Sequence, residues 1–455
     1  MNRSEKAAAR LGLLAAFAML RCASFDLGEG EGLTPPIAGA GGASGAGGGV
    51  GGSPMGTAGL GGGGSGGAGG QGGLVCTAPT TNCGGTCVDV TASDAANCGA
   101  CGYACGAGST CAQGVCAAVA VVSGVVAPYA FALDAANVYF VVPVRDTANA
   151  LPPAVQRVPR AGGAPVSVFG TVASVRSRSL TLAGGTLFFG DLDNNGVLRK
   201  GPLDGSSVAV HLTDQPAVQQ LVAADGRLWW STTGGDTSRL RRVLATGTPT
   251  TAEELLPGPS FVQFGRVPAL AVEGTGATAT AFWVNAGGSV NTDRGLWRKA
   301  GATAPVRLVP NGAMVALALG ESEVFVADAA AGIGKVATNA TTPATLAPVV
   351  AAADVGGAVQ GLAVSAGTLY WLAFNAGQLE LHRSGLDGSE ARVLGRVAAK
   401  SAAYWGAPLG PAQLMVDGGF VYFSDPGTVT DINQQNPTLG EARGAADGAI
   451  YRLPQ

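Results

Sequence analysis

The amino-acid sequence predicts an all-β protein: a seven-bladed β-propeller preceded by a disordered Gly-rich linker and a small disulfide-rich module. Three observations predict this fold. A strand–turn–strand pattern occurs seven times after Cys116, each copy has an aromatic residue at a fixed position, and the two ends of the repeat region complement each other. A repeat length of about 40 to 50 residues is typical of propellers.

Each copy contains an apolar alternating strand, a short turn and a second strand with a landmark aromatic residue. These aromatics are Tyr139, Phe188, Trp229, Phe282, Phe325, Tyr370 and Tyr422. Most have an aromatic neighbour, and adjacent residues of a strand point to opposite faces of the sheet. Both faces of a blade are buried in a propeller, so we expect pairs such as Trp229 and Trp230 to pack between blades. Stacking of that pair on a sugar is the alternative.

A third segment with a basic residue follows in every copy. The basic residues are Arg157, Arg199, Arg242, Arg298, Lys335, Arg383 and Arg452. A fourth apolar segment closes most copies, so each copy predicts a blade of four antiparallel strands. Because the basic position repeats, we expect it to form contacts between blades. A ring of cations that binds anions on the propeller axis is the alternative.

The ends of the repeat region predict how the ring closes. The last copy finishes at "AIYRLPQ", a third strand with no fourth strand after it, whereas residues 117–126 form an apolar strand with no copy before it. If this leading strand is the fourth strand of the last blade, the ring has no open edge. Cys116 then lies at the rim, and the Cys-rich module sits directly on the propeller.

The repeats resemble the YWTD propellers of LDL-receptor-type extracellular proteins. The similarity is clearest in "GTLYWLAFNAGQLELHRSGLDGSEARVL" at residues 367–394, and "VLRKGPLDGSS" at residues 197–207 repeats the Leu-Asp-Gly-Ser turn. Members of that family usually have six blades, and Leu372-Ala373 stands where their motif has Thr-Asp. The resemblance implies the propeller fold and no particular ligand.

Eight of the nine cysteines lie in residues 76–116. They are Cys76, Cys83, Cys87, Cys98, Cys101, Cys105, Cys111 and Cys116. An even set of cysteines in a short exported segment is typical of a disulfide framework that takes the place of a core. The spacing of Cys98 and Cys101 also occurs in zinc knuckles and redox pairs, but the segment has no histidine and no flanking strand and helix. We therefore expect disulfides, with their connectivity open.

Two strings in this segment, "CGGTCVD" at residues 83–89 and "NCGACGYAC" at residues 97–105, carry a second resemblance. They resemble a Cys-rich module of bacterial surface lipoproteins, especially of predatory soil species. The resemblance implies a location at the cell surface. It implies no biochemical activity.

Residues 1–22 are predicted to be a lipoprotein-type signal peptide. Positively charged residues precede a ten-residue apolar run, which is too short to span a bilayer. The string "AMLRC" resembles the lipobox of bacterial lipoproteins, which makes Cys22 the predicted lipidation site. Arg21 stands where that motif has Gly or Ala, so cleavage and release is the alternative.

Residues 23–75 are predicted to be a disordered Gly-rich linker. No charged residue occurs between Glu31 and Asp89, and glycine dominates residues 39–73. Such a segment buries too little apolar area to offset the conformational entropy of the chain. We expect it to tether the module and the propeller to the lipid.

Asp191, Asp193 and Asn195 in "DLDNNG" match the start of a calcium-binding loop, where alternate oxygens surround the ion. The twelfth position of the loop, where a bidentate Glu belongs, is Pro202. The alternative is a hairpin turn through Asn195 and Gly196 between the second and third strands of a blade. Calcium is the one cofactor that the sequence raises.

Tyr404 and Trp405 lie outside the repeat pattern, on the long connection after the sixth copy. Exposed aromatic residues on long connections are frequent contact residues in binding proteins. We therefore expect this pair to contact a ligand.

The sequence predicts the function in less detail than the fold. Charged residues make up 13% of the chain and the net charge is −3, so no basic field for nucleic acid is present. His211 and His382 belong to different blades, and the sequence contains no recognisable catalytic motif. We therefore expect an exported bacterial protein, anchored by lipid at the outer-membrane surface or secreted without it, that binds a protein or glycan. An extracellular propeller hydrolase or lyase acting on polymers is the alternative.

Overall fold

The computed structural model describes residues 74–142, 145–146, 154–169, 179–191, 196–215, 218–234, 237–255, 267–286, 294–399, 413–430 and 443–455. The predicted signal peptide, Cys22 and nearly all of the predicted linker lie outside these residues. Gln71–Gln455 form one compact unit.

Seven sheets follow one another along the chain, and their strands run in sequence order from the axis outward in blades 2 to 6. Five strands precede the repeats: β1 (Thr81–Asn82), β2 (Cys87–Val88), β3 (Cys111–Ala112), β4 (Val115–Ala117) and β5 (Val119–Val125). Blade 1 contains β6 (Phe131–Leu133), β7 (Asn137–Val142), β9 (Ala154–Pro159) and β10 (Val166–Ser167), with β8 (Arg145–Asp146) in the connection from β7 to β9.

The next three blades each contain four strands. Blade 2 contains β11 (Leu180–Ala183), β12 (Thr186–Asp191), β13 (Val197–Pro202) and β14 (Ala209–Thr213). Blade 3 contains β15 (Val218–Ala224), β16 (Arg227–Gly234), β17 (Thr237–Leu244) and β18 (Glu253–Glu254). Blade 4 contains β19 (Ala269–Glu273), β20 (Thr280–Asn285), β21 (Gly295–Ala300) and β22 (Val306–Pro310), with a 3₁₀ turn at Gly276–Thr278.

The last three blades complete the ring. Blade 5 contains β23 (Met314–Leu319), β24 (Glu323–Asp328), β25 (Gly332–Ala337) and β26 (Ala347–Ala351). Blade 6 contains β27 (Ala358–Ser365), β28 (Thr368–Asn375), β29 (Gln378–Gly385) and β30 (Arg392–Ala398). Blade 7 contains β31 (Leu414–Asp417), β32 (Phe420–Asp425) and β35 (Gly448–Pro454), with β33 (Val429–Thr430) and β34 (Arg443–Gly444) in its longest connection.

The ring closes as the two ends of the repeat region predict. Strand β5 pairs antiparallel with β35, with Val125 opposite Gly448 and Val119 opposite Arg452. Blade 7 thus takes its fourth strand from the start of the repeat region, and its order is β31, β32, β35, β5. Because both ends of the repeat region belong to one sheet, separating the ring at this point requires breaking a ladder of backbone hydrogen bonds.

The aromatic pairs are buried between blades, as predicted. The first aromatic of one blade packs with the second aromatic of the next: Phe188 lies in one apolar cluster with Trp230, and Trp229 in another with Trp283. All four of these side chains are at most 1% exposed. Strand alternation therefore directs one member of each pair to each neighbouring blade. The sugar-stacking alternative for Trp229 and Trp230 is wrong.

The repeated basic residues form contacts between blades. The side chains of Arg157, Lys200, Arg298, Lys335 and Arg452 each donate a hydrogen bond to a backbone carbonyl in the third-to-fourth-strand connection of the following blade. The axis is lined by the first strands, two strands away from these residues. The anion-binding ring on the axis is therefore wrong, and contacts between blades at this position are confirmed in five of the seven blades.

One member of the basic series was assigned incorrectly. In blade 2 the residue opposite the landmark Phe188 is Lys200, whereas Arg199 lies opposite Phe189. Adjacent basic residues occupy the two faces of the strand, and only the strand register distinguishes them. Arg199 instead donates to the carboxylate of Asp191, with 2.5 Å between Nε and Oδ2.

Four disulfides cross-link the segment ahead of the ring: Cys76–Cys87, Cys83–Cys101, Cys98–Cys111 and Cys105–Cys116. Disulfides are therefore confirmed. Cys98 and Cys101 are bonded to different partners, so the zinc and redox alternatives for this pair are wrong. The three sulfurs of Cys98, Cys105 and Cys116 lie close together, but all belong to disulfides and are not thiolate ligands.

The disulfide-rich module is attached to the ring at blade 6. Strand β4 pairs in parallel with β30, with Cys116 opposite Gly395, and extends that sheet to six strands. The Tyr103 hydroxyl donates to the carbonyl of Pro454 at 3.2 Å, and the Arg392 guanidinium lies 5.1 Å above the Tyr103 ring. The module therefore contacts blades 6 and 7, as expected from the position of Cys116. In the part of the chain that the structure describes, no helix is long and apolar enough to cross a bilayer.

Candidate functional site: the axial pocket

A pocket opens on the propeller axis at one face of the ring. The first strands of successive blades contact one another from β6 in blade 1 to β31 in blade 7, so these strands surround the axis. The pocket they enclose has a volume of 160 Å³. We call it the axial pocket. Every blade contributes to its lining through residues at the start of the first strand, namely Ala130, Ser179, Gln220, Ala269, Ala316, Gly361 and Gln413.

A ring of leucines forms the apolar part of the axial pocket. In the strand pairing, each leucine lies opposite the residue that follows the landmark aromatic of the adjoining strand, which is itself aromatic except for Val326 opposite Leu317. All are at most 8% exposed, and they are Leu180, Leu221, Leu270, Leu317, Leu362 and Leu414. Blade 1 has Phe131 at this position, opposite Phe140. These side chains fix the width of the channel because they also pack between blades.

Uncharged hydrogen-bonding side chains form the polar part. Tyr129, Ser179, Gln219, Gln220 and Gln413 line the pocket, and Gln413 also accepts a hydrogen bond from the Phe131 amide at 2.5 Å. Among the described residues that line the pocket, none is acidic, basic, histidine or cysteine. The pocket can therefore hydrogen-bond a neutral group through these side chains.

The longest connections of the ring emerge at the same face. The pairing of Asp191 with Val197 places the second-to-third-strand connection of blade 2 at the edge where Leu180 begins. Residues 170–178 precede Ser179, residues 256–266 precede blade 4, and residues 400–412 precede Gln413. The long connections therefore begin and end at the face where the axial pocket opens, whereas the first-to-second-strand turns at the opposite face are short.

The predicted calcium residues are only partly described. Asp191 ends β12 and pairs with Arg199, and β12 and β13 are paired up to Asp191 opposite Val197, whereas the turn that the alternative interpretation predicted lies mostly outside the described residues. Asp193 and Asn195 lie outside the described residues, as do Tyr404, Trp405 and Cys22. The expectations for calcium, for the aromatic contact and for lipidation therefore stay predictions.

The two histidines lie in different blades, on β14 and β29, as predicted. His382 is the better candidate for chemistry, because its Nε2 lies 3.3 Å from the Glu380 carboxylate, which also accepts from Arg396 at 2.8 Å. Burial lowers the pKa of His382, and the charge of Glu380 opposes this change. The imidazole stacks on Trp371, with 5.0 Å between ring centroids.

This histidine has no space beside it for a substrate. Gly356 lies against the imidazole, and a Cβ at that glycine would stand 2.5 Å from the ring. Gly356 also has a φ of 78°, in the left-handed region that favours glycine. We therefore assign His382, Glu380 and Arg396 to the packing of blade 6 and not to a catalytic site.

The residues of the axial pocket were not identified from the sequence. One position of the lining lies just before the repeated leucine of blades 2 to 7 and just before Phe131 in blade 1. From blade 1 to blade 7 the sequence reads Ala, Ser, Gln, Ala, Ala, Gly and Gln at this position. The shared property of this position is that every residue is small or is a neutral amide. That weak signal becomes visible only after the first strand has been placed on the axis.

Several solved propeller structures are similar to this chain in outline. YCF48 bound to D1 peptide is 10% identical, covers 74% of this chain and 94% of its own, and has a TM-score of 0.46. The computationally designed Ika8 protein is 11% identical, and the match covers 74% of this chain and 98% of Ika8, with a TM-score of 0.44. BamB from Moraxella catarrhalis is 11% identical, and the match covers 72% of this chain and 84% of BamB, with a TM-score of 0.40.

Similarity of this degree carries no argument about function. No protein-family model matches the chain, and no curated protein matches it. The blades and their closure rest on the strand pairing described above.

Proposed function

We propose that this protein is an exported binding protein whose propeller holds a protein partner at the face that contains the axial pocket. One observation carries the proposal: seven blades converge on a pocket lined by leucines and neutral hydrogen-bonding groups. Such a lining favours binding of an uncharged group over acid–base chemistry.

The size of the axial pocket favours a protein over a glycan. Its 160 Å³ lies below the range of about 300–1,000 Å³ that is usual for small-molecule sites. The pocket fits one side chain of a partner, while the surrounding connections provide the wider contact area. Tyr404 and Trp405, on the segment that precedes Gln413, are proposed to belong to that contact area.

The test compares two charge-introducing variants of the full chain. Gln220→Lys places an ammonium group at the pocket, where no acidic side chain of the described lining compensates its charge. Asn339→Lys places the same charge on an exposed site of the connection from β25 to β26, at the opposite face of the ring. A partner is first identified by cross-linking on intact cells. Its affinity for the Gln220→Lys protein should then fall about tenfold or more, whereas Asn339→Lys should change it less than twofold.

Equal affinities of the two variants would refute the role of the axial pocket. If the purified protein cleaves a polysaccharide or a protein and the Gln220→Lys variant does not, the protein is the extracellular hydrolase or lyase of the alternative hypothesis. Selective retention of glycans on an array, with no protein partner, would replace the protein ligand with a sugar.

Lipid anchoring at Cys22 is part of the proposal and rests on the position of this cysteine at the end of the predicted signal peptide. Cys22→Ala should move the protein from the membrane fraction to the soluble fraction. An unchanged distribution would refute lipidation and would leave the binding role untouched.

A further inference from the structure

The face opposite the axial pocket contains a groove beneath blade 3. It lies between the start of β16, the end of β17 and the connection from β17 to β18, and its volume is 520 Å³. We call it the blade-3 groove. Unlike the axial pocket, its size falls within the range of about 300–1,000 Å³ that is usual for small-molecule sites.

The groove is surrounded by positive charge. Arg227 and Arg242 line it, and Glu253 is the one acidic residue among its described lining residues. The pKa of Glu253 is lowered, chiefly by its hydrogen bonds with Arg242 and also by the charges of Arg227 and Lys299. The Lys200 ammonium donates to the carbonyl of Gly247 in the groove wall, at 2.5 Å. Three cations, Arg242, Arg227 and Lys299, therefore act on the Glu253 carboxylate, and a fourth, Lys200, contacts the groove wall.

Arg242 differs from the other members of the basic series. In five other blades the corresponding side chain donates to a carbonyl of the following blade. Arg242 instead lies 4.9 Å above the Trp229 ring and binds Glu253 of its own blade through Nε and Nη2, both at 2.8 Å. Its guanidinium is thus held rigidly and presents two parallel donors to a carboxylate.

The Glu253 carboxylate, which accepts both hydrogen bonds from Arg242, can be displaced by another carboxylate. The Glu253 side chain is 52% exposed, whereas the Arg242 side chain is 11% exposed. Glu253 can therefore rotate into water while Arg242 stays in place over Trp229. A carboxylate from a ligand could take the same position without moving the backbone.

The remaining lining indicates which acidic ligand fits. Thr246, Thr248 and Thr251 bring hydroxyl groups to the groove, so a ligand with hydroxyls beside its carboxylate matches the lining. An acidic peptide fits less well, because a peptide strand paired to the adjacent β18 would meet the charges of Glu253 and Glu254.

We propose that the blade-3 groove binds acidic saccharides, with a uronate carboxylate replacing Glu253 on Arg242 and the sugar hydroxyls facing the threonines. This site is independent of the axial pocket, and it gives the protein a second ligand on the opposite face of the ring.

The experiment measures binding of trigalacturonic acid to the full chain by calorimetry, with neutral galactotriose and triglutamate as comparison ligands. Arg227→Gln should lower the affinity about tenfold, because it removes a cation from the groove. Glu253→Gln should raise the affinity several-fold, because it removes the competing carboxylate. Arg239→Gln removes a charge from β17, the strand of Arg242, but outside the groove, where Arg239 pairs with Glu254, and should leave the affinity unchanged.

The opposite signs expected for Arg227→Gln and Glu253→Gln keep the proposal falsifiable even if one variant folds poorly. Absence of trigalacturonate binding, equal binding of galactotriose, or weaker binding by Glu253→Gln would each overturn it. Triglutamate binding as tightly as trigalacturonate would overturn the assignment to saccharides. Failure of this test would leave the axial pocket and its protein partner unaffected.

Discussion

The disulfide-rich module and the ring of blades are stabilised by different means, although they share one chain. No residue of the described chain before Cys98 is buried, and the buried apolar residues of the module are Cys98, Tyr103, Cys105, Cys111 and Cys116. Each blade, in contrast, buries aromatic or aliphatic side chains on both faces. The module therefore uses its own cross-links as a core, whereas the ring uses contacts between neighbours.

The two regions are not independent, because the buried residues of the module belong to the apolar cluster of blades 6, 7 and 1. The second half of the module is thus part of the ring, and the first half depends on Cys76–Cys87 and Cys83–Cys101. This difference predicts that substitutions in the ring and substitutions in the module destabilise different parts of the protein.

The largest effect is expected from Trp283→Ala in the ring. Trp283 is fully buried in the cluster between blades 3 and 4, so the variant leaves a cavity that rigid neighbours fill poorly. We expect a loss of about 3–5 kcal/mol in the free energy of unfolding, measured by urea denaturation.

Trp297→Ala is the matched control. Trp297 stacks on Trp283 with 6.2 Å between centroids but is only partly buried, so its loss should cost about 1–2 kcal/mol. Equal costs for the two tryptophans would show that the contacts between blades do not dominate the stability of the ring.

The sequence predicted the ring well because its signal repeats. Each landmark such as Trp229 or Tyr422 marks the same strand in another copy, so an uncertain copy is corrected by the others. Arg199 was assigned to the repeated basic position in place of Lys200 because the two residues are adjacent. The local sequence does not show which of them lies opposite the landmark Phe188. The axial residues, among them Ser179 and Gln413, were missed because their identity changes from copy to copy.

The module was predicted only in outline, because its pairings are not repeated. Eight cysteines allow about 105 connectivities, and the spacing of Cys98 and Cys101 favours none of them. The parallel pairing of β4 with β30 joins segments nearly 280 residues apart and leaves no pattern in either strand. Long-range contacts of this kind are visible only in the folded chain.

An intermediate effect is expected from removal of one disulfide, and two of the bonds form a matched pair. Cys105–Cys116 and Cys76–Cys87 both close loops with a sequence separation of 11, so their effects on the unfolded chain are equal. Cys105 and Cys116 are each 1% exposed, whereas Cys87 is exposed. Replacing either pair by alanine should destabilise its surroundings by about 2–5 kcal/mol.

The two variants should differ in where the loss occurs. Hydrogen exchange should quicken in β4 and β30 when Cys105 and Cys116 are replaced, because Cys116 pairs with blade 6. In the Cys76→Ala/Cys87→Ala protein, faster exchange should stay within β1 and β2. Identical exchange patterns would contradict the division of the module into a docked half and a cross-linked half.

The smallest effect is expected from mild acid, and it should weaken the ring before the module. Burial is the main cause that lowers the pKa of both His382 and His211, below the ordinary value of 6.5. The unfolded chain therefore binds protons more readily than the folded ring just below pH 6.5, so the stability of the ring should fall as the pH decreases through this window. The module contains no histidine, and hydrogen bonds lower the pKa of Asp89 and Asp94 below 3.8, so it should respond only in stronger acid.

Melting of the ring, followed by tryptophan fluorescence between pH 7 and pH 5, measures this effect, and hydrogen exchange in residues 76–97 reports on the module under the same conditions. His211→Gln/His382→Gln should remove most of the pH dependence of the melting temperature, because Gln does not titrate in this range. A melting temperature that falls with pH as steeply in the double variant as in the unaltered protein would assign the dependence to carboxylates. Lower protection factors in the module at pH 5, after correction for the intrinsic exchange rate at each pH, would show that its cross-linked half depends on the ring after all.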